Sequence, residues 1–310
     1  MNKKIQGIEI GRFFFACAIP LLHISFQSGL IIDFIRQYIS RLGVPFFFVV
    51  SGMFLIKSIE KNGATTALKR YLIRIGRLFG VWLIIYLPII YKTFDSVVSL
   101  LQHVMFLTPA YLWYLSGLLF ASVPFCLIRN RKLLSILAIA LYVLGTFFSG
   151  SYRWLINPIS IYDKIFLTTR NGLFFGLPLM CIGELSWRLK NYKPYVFIIG
   201  LLLFFEIVFV GLHSGSEDDR SMYFLLPLFM LFFVVMLREW NVSLKSSILG
   251  GMSTAIYVMQ FGIITISKIL LRHIGIDSDL AALVTYLFVI VIPCALYFAF
   301  RKTRIIKFLF

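Results

Sequence analysis

Hydrophobic residues follow one another along this chain in long blocks. Blocks of about 16–22 apolar residues alternate with short charged loops, and each block is long enough to cross a hydrocarbon core of about 30 Å as a helix. The pattern predicts an all-α integral membrane bundle of about ten transmembrane helices. The predicted spans are 8–28, 38–56, 78–92, 109–128, 133–150, 171–187, 194–213, 221–237, 248–268 and 280–300.

The composition agrees with a membrane protein. Hydrophobic residues make up 60% of the chain and charged residues 14%, whereas soluble domains are about half apolar and about 25% charged. We expect a multi-pass protein of the cell (plasma or inner) membrane. The first block contains Arg12 and His23 and lacks a small-residue cleavage pattern, so we expect it to remain as a helix instead of being removed as a signal peptide.

The charges behind the formal net charge of +17 are spread unevenly over the loops between the predicted spans. Most lysines and arginines fall in alternate loops, and acidic residues such as Asp33, Asp95 and Asp163 fall in the others. The positive-inside rule therefore predicts that both termini are cytoplasmic. The basic excess indicates attraction to anionic membrane lipids and not nucleic-acid binding. The four cysteines lie in four different blocks without metal-ligand spacing, so we expect no metal site.

Charged or titratable residues inside the apolar blocks are candidates for function. We single out Arg12, His23, Glu184 and Glu206, with Arg170 and Lys268 at block borders. Each costs a few kcal/mol in hydrocarbon, so each is expected to face a cavity or a partner. Glu184 lies four residues before Arg188, which predicts an ion pair. Glu206 has no partner nearby in the sequence, and it is either a buried functional acid or a protonated and inert group.

The spacing of Arg12 and His23 suggests a catalytic pair. In one continuous helix, eleven residues end about 20° past three full turns and about 16 Å along the axis. The two side chains would then share a face. This geometry suits a ligand with phosphates at one end, bound by arginine, and a thioester at the other, near a general base or nucleophile. Alternatively, Arg12 snorkels to headgroups and His23 hydrogen-bonds a neighbouring helix.

A second basic cluster precedes the third predicted span. Arg70, Arg74 and Arg77 have the spacing i, i+4, i+7, which places them on one helical face beside Lys69. Their segment lies in the longest predicted inner loop, from Lys57 to Arg77. The stripe is either a lipid-binding surface or a docking patch for coenzyme phosphates on the cytoplasmic side, and the two roles are compatible.

Several motifs together resemble those of acyltransferase family 3, the multi-pass membrane acyltransferases. They are IEIGRFFFACAIPLLH (8–23), RLGVPFFFVVSGMFL (41–55), LKRYLIRIGRLFGVWLIIYLP (68–88), LWYLSGLLF (112–120), TTRNGLFFGLPLMCIGE (168–184) and STAIYVMQ (253–260). The resemblance is strongest to polysaccharide acetyltransferases and to the membrane domain of vancomycin-resistance serine racemases. It covers essentially the whole chain and implies a single transmembrane acyltransferase-3-like domain over residues 1–310.

The resemblance implies a function and a set of site residues. An acetyl group would move from cytoplasmic acetyl-CoA to a hydroxyl of an outer-face cell-surface polysaccharide or lipid-linked glycan. His23 and Arg12 match the catalytic motif of the first helix, with His23 as general base or transient acyl carrier. The implied binding residues are Arg12, Arg70, Arg74 and Arg77 for acyl-CoA, and Arg170, Asn171, Tyr111 and Trp113 for the acceptor.

Two positions depart from the family pattern, and alternative functions stay open. Relatives often have histidine where this chain has Tyr111 and Gln260, which points to a different acceptor or to a loss of catalysis. The alternatives are a transporter or flippase of a polar small molecule or lipid-linked sugar, and a non-catalytic membrane sensor or synthase partner. We also expect this chain to lack the soluble racemase or esterase-like domain that is fused in some members.

Overall fold

The computed structural model describes residues 6–26, 29, 32, 34–106, 110–149, 151–152, 154–155, 168–190, 195–213, 220–240, 248–275, 278–303 and 306–309. Within these ranges the protein is all-helical and contains no strand. The α-helices are α1 (Gln6–Ala18), α2 (Gly43–Asn62), α3 (Ala64–Ile90), α4 (Val97–Phe106), α5 (Trp113–Leu127), α6 (Arg131–Phe148), α7 (Leu177–Arg188), α8 (Tyr195–His213), α9 (Leu226–Glu239), α10 (Leu249–Ile274), α11 (Ser278–Phe300) and α12 (Ile306–Leu309).

Among the residues that the structure describes, six helical segments are long and apolar enough to cross a membrane. They are Ser40–Asn62, Ala64–Ile90, Arg131–Phe148, Tyr195–His213, Leu249–Ile274 and Ser278–Phe300. The all-α, multi-pass character is thereby supported. Each of the ten predicted spans overlaps a helix, but four of these helices are short: α1, α5, α7 and α9 have 13, 15, 12 and 14 residues. The count of ten spans and the cytoplasmic placement of both termini remain predictions.

The first predicted span is not one continuous α-helix. Helix α1 ends at Ala18, and Ile19–Leu22 continues as a 3₁₀ turn that contains Pro20. Proline lacks the N–H that would extend the α-helical ladder. Because a 3₁₀ helix turns about 120° per residue and rises about 2.0 Å, the separation of about 20° and about 16 Å that one α-helix would give does not apply to Arg12 and His23. The expectation that both residues lie in one continuous α-helix is wrong, and the shared face of their side chains stays a prediction.

The predicted inner segment from Lys57 to Arg77 is helical on both sides of a turn at Gly63, as the turn residues Asn62 and Gly63 and the basic helical run after them predict. Helix α2 extends to Asn62 and α3 begins at Ala64, so Gly63 alone separates them. Gly63 has φ +79°, a left-handed conformation that glycine adopts without a Cβ clash. Arg70, Arg74 and Arg77 therefore belong to the first half of α3, in the helix that their i, i+4, i+7 spacing predicts.

The chain forms two compact units. The first comprises Met1–Val44, Ile84–Tyr86 and Leu237–Phe310. In it, α10 packs against both α1 and α11. Buried apolar side chains such as Ile8 and Val258 form its core. The prediction of a single domain over residues 1–310 remains a prediction.

The second unit comprises Pro45–Leu83 and Leu87–Met236. In it, α5 and α7 pack against each other and against a π-helical turn, Gly172–Gly176. Glycines permit the close approach of α2 and α7, because a Cβ on Gly52 would lie 2.2 Å from the Met180 carbonyl oxygen. A Cβ on Gly183 would lie 2.1 Å from the Val49 carbonyl oxygen. Small residues at such contacts are typical of helix packing in membranes.

Candidate functional site

Arg12 lies in α1 and forms an ion pair with Glu9. Its Nη1 is 3.1 Å from Glu9 Oε1, one turn earlier in the helix. A Cβ on Gly250 of α10 would lie 2.4 Å from Glu9 Oε2 and 2.8 Å from Arg12 Nη1. The pair thus lies directly against the α10 backbone. Sequence reasoning missed Glu9, although an acid three residues before an arginine in an apolar helix is a recognisable signal.

His23 ends the 3₁₀ turn that follows α1. Its backbone N–H donates to the Pro20 carbonyl at 3.0 Å, and its residue is half-buried. The Nζ of Lys268, on α10, lies 3.5 Å from the His23 carbonyl oxygen. Helix α10 therefore lies beside both predicted catalytic residues, at Gly250 for Arg12 and at Lys268 for His23.

Gln260 is a buried polar residue on α10. It lies between the two contact points, ten residues after Gly250 and eight before Lys268. Only 1% of the residue is exposed. Within the described part of the chain, neither its amide nitrogen nor its amide oxygen has a hydrogen-bond partner. A buried polar group left unpaired costs about 1–3 kcal/mol, so this side chain destabilises the fold as it stands.

The hydroxyl of Tyr86 forms hydrogen bonds with two backbone groups of α10, one before and one after Gln260. It donates to the Val258 carbonyl at 2.6 Å and accepts from the Gly262 N–H at 3.4 Å. In a regular helix these two backbone groups, four residues apart, bond each other. Helix α10 nevertheless continues without a break from Leu249 to Ile274.

The predicted arginine stripe forms an exposed face of α3. Arg70, Arg74 and Arg77 are all exposed. The Arg74 guanidinium lies 5.7 Å from the centre of the Tyr71 ring, and Arg70 Nη1 lies 3.4 Å from Asn62 Oδ1. These arginines belong to the second unit, whereas Arg12 and His23 belong to the first. Their role in binding acyl-CoA remains a prediction.

Asn171, predicted to bind the acceptor, caps a helix. Its side-chain oxygen accepts from the backbone N–H groups of Leu173 and Phe174 at 2.9 and 3.1 Å. Its side-chain nitrogen donates to the Thr168 carbonyl at 2.8 Å. Asparagine is a preferred residue at helix N-termini for this reason. The neighbouring Arg170 is half-buried.

Tyr111 and Trp113 lie at the start of α5. Ala110 and Tyr111 have φ values of 59° and 60°, a left-handed conformation that costs non-glycine residues about 1–3 kcal/mol each. Trp113 packs 6.2 Å from the rings of Phe48 and of Phe175, in the π-helical turn after Asn171. The structure thus brings the two predicted acceptor-binding segments together within the second unit.

Glu206 anchors the start of α9. Its carboxylate accepts from the backbone N–H groups of Phe224 and Leu225 at 2.6 and 2.9 Å and from the Tyr152 hydroxyl. Burial, together with the hydrogen bond and the charge of Glu206, raises the pKa of Tyr152, so the phenol keeps its proton and donates it to the bond. These contacts indicate a structural role. No local pattern predicts them, because the partners lie 18 to 54 residues away.

The predicted ion pair between Glu184 and Arg188 is confirmed. Arg188 Nη2 lies 3.1 Å from Glu184 Oε1. A second cation, Arg131, lies 3.6 Å from Glu184 Oε2, and Arg188 also approaches Glu60 at 3.5 Å. This network balances the buried carboxylate. Among the residues that the structure describes, no group of three histidine, cysteine, aspartate or glutamate side chains could hold a metal ion.

Comparison with known proteins gives a family and several relatives. A family model described as an acyltransferase domain matches residues 5–300. An amino-acid racemase of Enterococcus faecalis is 26% identical over 328 residues, which cover 94% of this chain and 45% of that protein. A serine/alanine racemase of Enterococcus gallinarum is 26% identical over 331 residues, covering 98% of this chain and 46% of that protein. The chain spans less than half the length of these curated relatives. No solved structure matches it.

Proposed function

The chain belongs to acyltransferase family 3, and from this premise we propose that it transfers an acetyl group from cytoplasmic acetyl-CoA to a hydroxyl of a cell-surface polysaccharide or lipid-linked glycan. The reaction would take place in the plasma membrane. The main support is the placement of Arg12 and His23 beside α10, at Gly250 and Lys268. Eighteen helical residues separate these two points, about 27 Å, which suits an elongated donor with an anionic end.

The proposed donor site uses guanidinium groups for the phosphates. Arg12 would bind a phosphate oxygen through N–H groups that Glu9 does not occupy, and Glu9 would hold the guanidinium in place. Arg70, Arg74 and Arg77 form a separate exposed patch on the second unit, which would by itself attract acyl-CoA phosphates from the cytoplasm, an interaction that salt weakens. Anionic lipid would compete for the same three side chains.

His23 would carry the chemistry in one of two ways. As a general base, its imidazole takes the proton of the acceptor hydroxyl while the oxygen attacks the thioester carbonyl. The carbon–sulfur bond then breaks, and the coenzyme A thiolate leaves and takes up the proton. As an acyl carrier, the imidazole itself attacks the thioester and releases the thiol, and the acceptor oxygen then displaces the imidazole from the acyl group.

The acceptor would bind near the start of α5. Tyr111, Trp113 and Arg170 would contact the glycan, the two rings by packing and the guanidinium by hydrogen bonds. Asn171 would contribute by capping the adjacent π-helical turn, since its side-chain oxygen and nitrogen already bond backbone groups. The left-handed backbone at Ala110 and Tyr111 supports this assignment, because such conformations occur preferentially at functional sites.

The test of this proposal is acetyl transfer in membrane vesicles. Vesicles that contain the protein and endogenous glycan receive radiolabelled acetyl-CoA, and label in the polysaccharide fraction is counted. We expect His23→Ala to reduce incorporation at least about 100-fold, while acetyl-CoA still raises the melting temperature of the purified variant in detergent. Wild-type incorporation by the variant would remove His23 from the mechanism. Mass spectrometry without acceptor distinguishes the two mechanisms, because only a carrier retains acetyl on His23.

A transporter is the second candidate function, and the names of the relatives suggest the class of its cargo. Those longer proteins are named amino-acid and serine/alanine racemases, so an amino acid is a reasonable cargo for a transporter of this fold. Uptake of labelled serine or alanine into vesicles measures this directly. Uptake that needs no acyl-CoA and survives His23→Ala would favour the transporter over the acyltransferase.

A further inference from the structure

Gln260 has no role in the site described so far, yet it lies on the helix that adjoins both predicted catalytic residues. We propose that its side-chain amide binds the pantetheine arm of the acyl donor, between the phosphates at Arg12 and the thioester at His23. This inference rests on the proposed function and deepens it by assigning a residue that positions the donor.

The position of Gln260 along α10 matches the middle of such a donor. Gly250 adjoins Arg12 and Glu9, and Lys268 adjoins the carbonyl of His23. Gln260 lies about 15 Å along the helix from the first point and about 12 Å from the second. It belongs to the same buried stripe as Gly250, whose further members, three or four residues apart, are Ser253, Tyr257, Ile264, Ser267 and Leu271.

The unpaired groups of Gln260 match the chemistry of the arm. A glutamine amide offers N–H donors and a carbonyl acceptor, and both kinds of group are unpaired here among the described residues. The pantetheine arm contains two secondary amides, each with one N–H and one carbonyl. One such amide can satisfy both ends of the glutamine amide. A lipid acyl chain offers neither a donor nor an acceptor.

The surroundings of Gln260 explain why the protein itself does not satisfy this amide. The hydroxyl of Tyr86 donates a hydrogen bond to the Val258 carbonyl and accepts one from the Gly262 N–H, on either side of Gln260. Of the buried residues one turn away on the helix, Ile256 and Ile264 are apolar, and Tyr257 forms no hydrogen bond with the Gln260 amide. Buried polar groups are almost always paired in native proteins, so an unpaired glutamine amide indicates a partner that arrives from outside the chain.

The first experiment replaces Gln260 by methionine, which keeps the length of the side chain and removes its hydrogen bonds. In detergent, acetyl-CoA affinity is measured from the ligand-dependent rise in melting temperature. We expect Gln260→Met to weaken acetyl-CoA binding about tenfold and to leave the ligand-free melting temperature equal or higher. The control is Thr265→Val, because the Thr265 hydroxyl already bonds the Phe261 carbonyl of its own helix. This control should bind acetyl-CoA as the wild type does.

A second experiment removes one amide from the ligand. S-acetyl-pantetheine has both amides of the arm, whereas S-acetyl-N-acetylcysteamine has only the amide next to the thioester. The wild type should bind S-acetyl-pantetheine about tenfold more tightly, and Gln260→Met should lose this preference. An equal loss of affinity for both thioesters, or a lower ligand-free melting temperature with unchanged affinity, would show that Gln260 is merely structural.

The outcomes also separate this inference from the proposed function. If acetyl-CoA binds the wild type and Gln260→Met equally well, the inference is wrong and the acyltransferase proposal stands. If acetyl-CoA does not bind the wild type at all, the donor assignment fails and the role of Gln260 fails with it.

Discussion

Glu206 and Gln260 are both polar residues in apolar helices, but the protein satisfies them differently. Glu206 accepts hydrogen bonds from two backbone N–H groups and the Tyr152 hydroxyl. Gln260 is 1% exposed and its amide is unpaired among the described residues. Since an unpaired buried group costs free energy that a paired one does not, the first residue stabilises the fold and the second is available to a ligand. For these two residues, the presence or absence of hydrogen-bond partners distinguishes a structural role from a proposed functional one.

The largest expected effect tests the structural side of this comparison. Glu206→Leu leaves the Phe224 and Leu225 N–H groups and the Tyr152 hydroxyl without their acceptor, so we expect a loss of about 3 kcal/mol in the free energy of unfolding. Thermal unfolding in detergent measures it. Glu206→Gln is the matched control, because it keeps an acceptor oxygen and should lose less. A change in acetyl-CoA affinity in a folded Glu206 variant would contradict the structural assignment.

The second largest expected effect tests the functional side of the comparison, at the proposed phosphate site of Arg12. Gly250→Ala places a methyl group within 2.8 Å of both Glu9 and Arg12 side-chain atoms, so the ion pair must move. We expect a loss of stability of about 2 kcal/mol and weaker acetyl-CoA binding. Gly80→Ala is the control, since no heavy atom lies within 4 Å of its added Cβ, and helix interiors prefer alanine. Unchanged acetyl-CoA binding in Gly250→Ala would argue that Arg12 is not a phosphate ligand.

The smallest effect concerns Asn171, which the family resemblance assigns to the acceptor and the structure shows as a helix cap. Asn171→Ala removes the acceptor for the Leu173 and Phe174 N–H groups, and we expect a loss of about 1 kcal/mol. Asn171→Asp is the comparison, because aspartate keeps the capping oxygen. If Asn171→Asp folds like the wild type but loses acetyl transfer, then the amide nitrogen has a role beyond capping.

Local features of the sequence predicted the local features of the structure. Apolar blocks of membrane-spanning length coincide with helices, and the spacing of Glu184 and Arg188 predicted an ion pair that is present. Hydropathy and helical periodicity depend only on residues close together in the sequence. Helices and pairs within one helix can therefore be predicted before the tertiary structure is known. The error at the first span has a local cause too, since Pro20 lies inside the block and the α-helix ends two residues before it.

Partners distant in the sequence could be assigned only in the tertiary structure. Glu206 lies 54 residues from Tyr152, and the hydroxyl of Tyr86 reaches a carbonyl 172 residues away. Sequence reasoning identified Gln260 as a departure from the family motif but not as a buried, unpaired amide beside the predicted donor path. The sequence alone determined the helical membrane architecture and the family, because the lengths of the apolar blocks and the order of the motifs are properties of the linear sequence. Which polar groups are satisfied was decided by the packing of remote helices, because a hydrogen bond depends on distance in space.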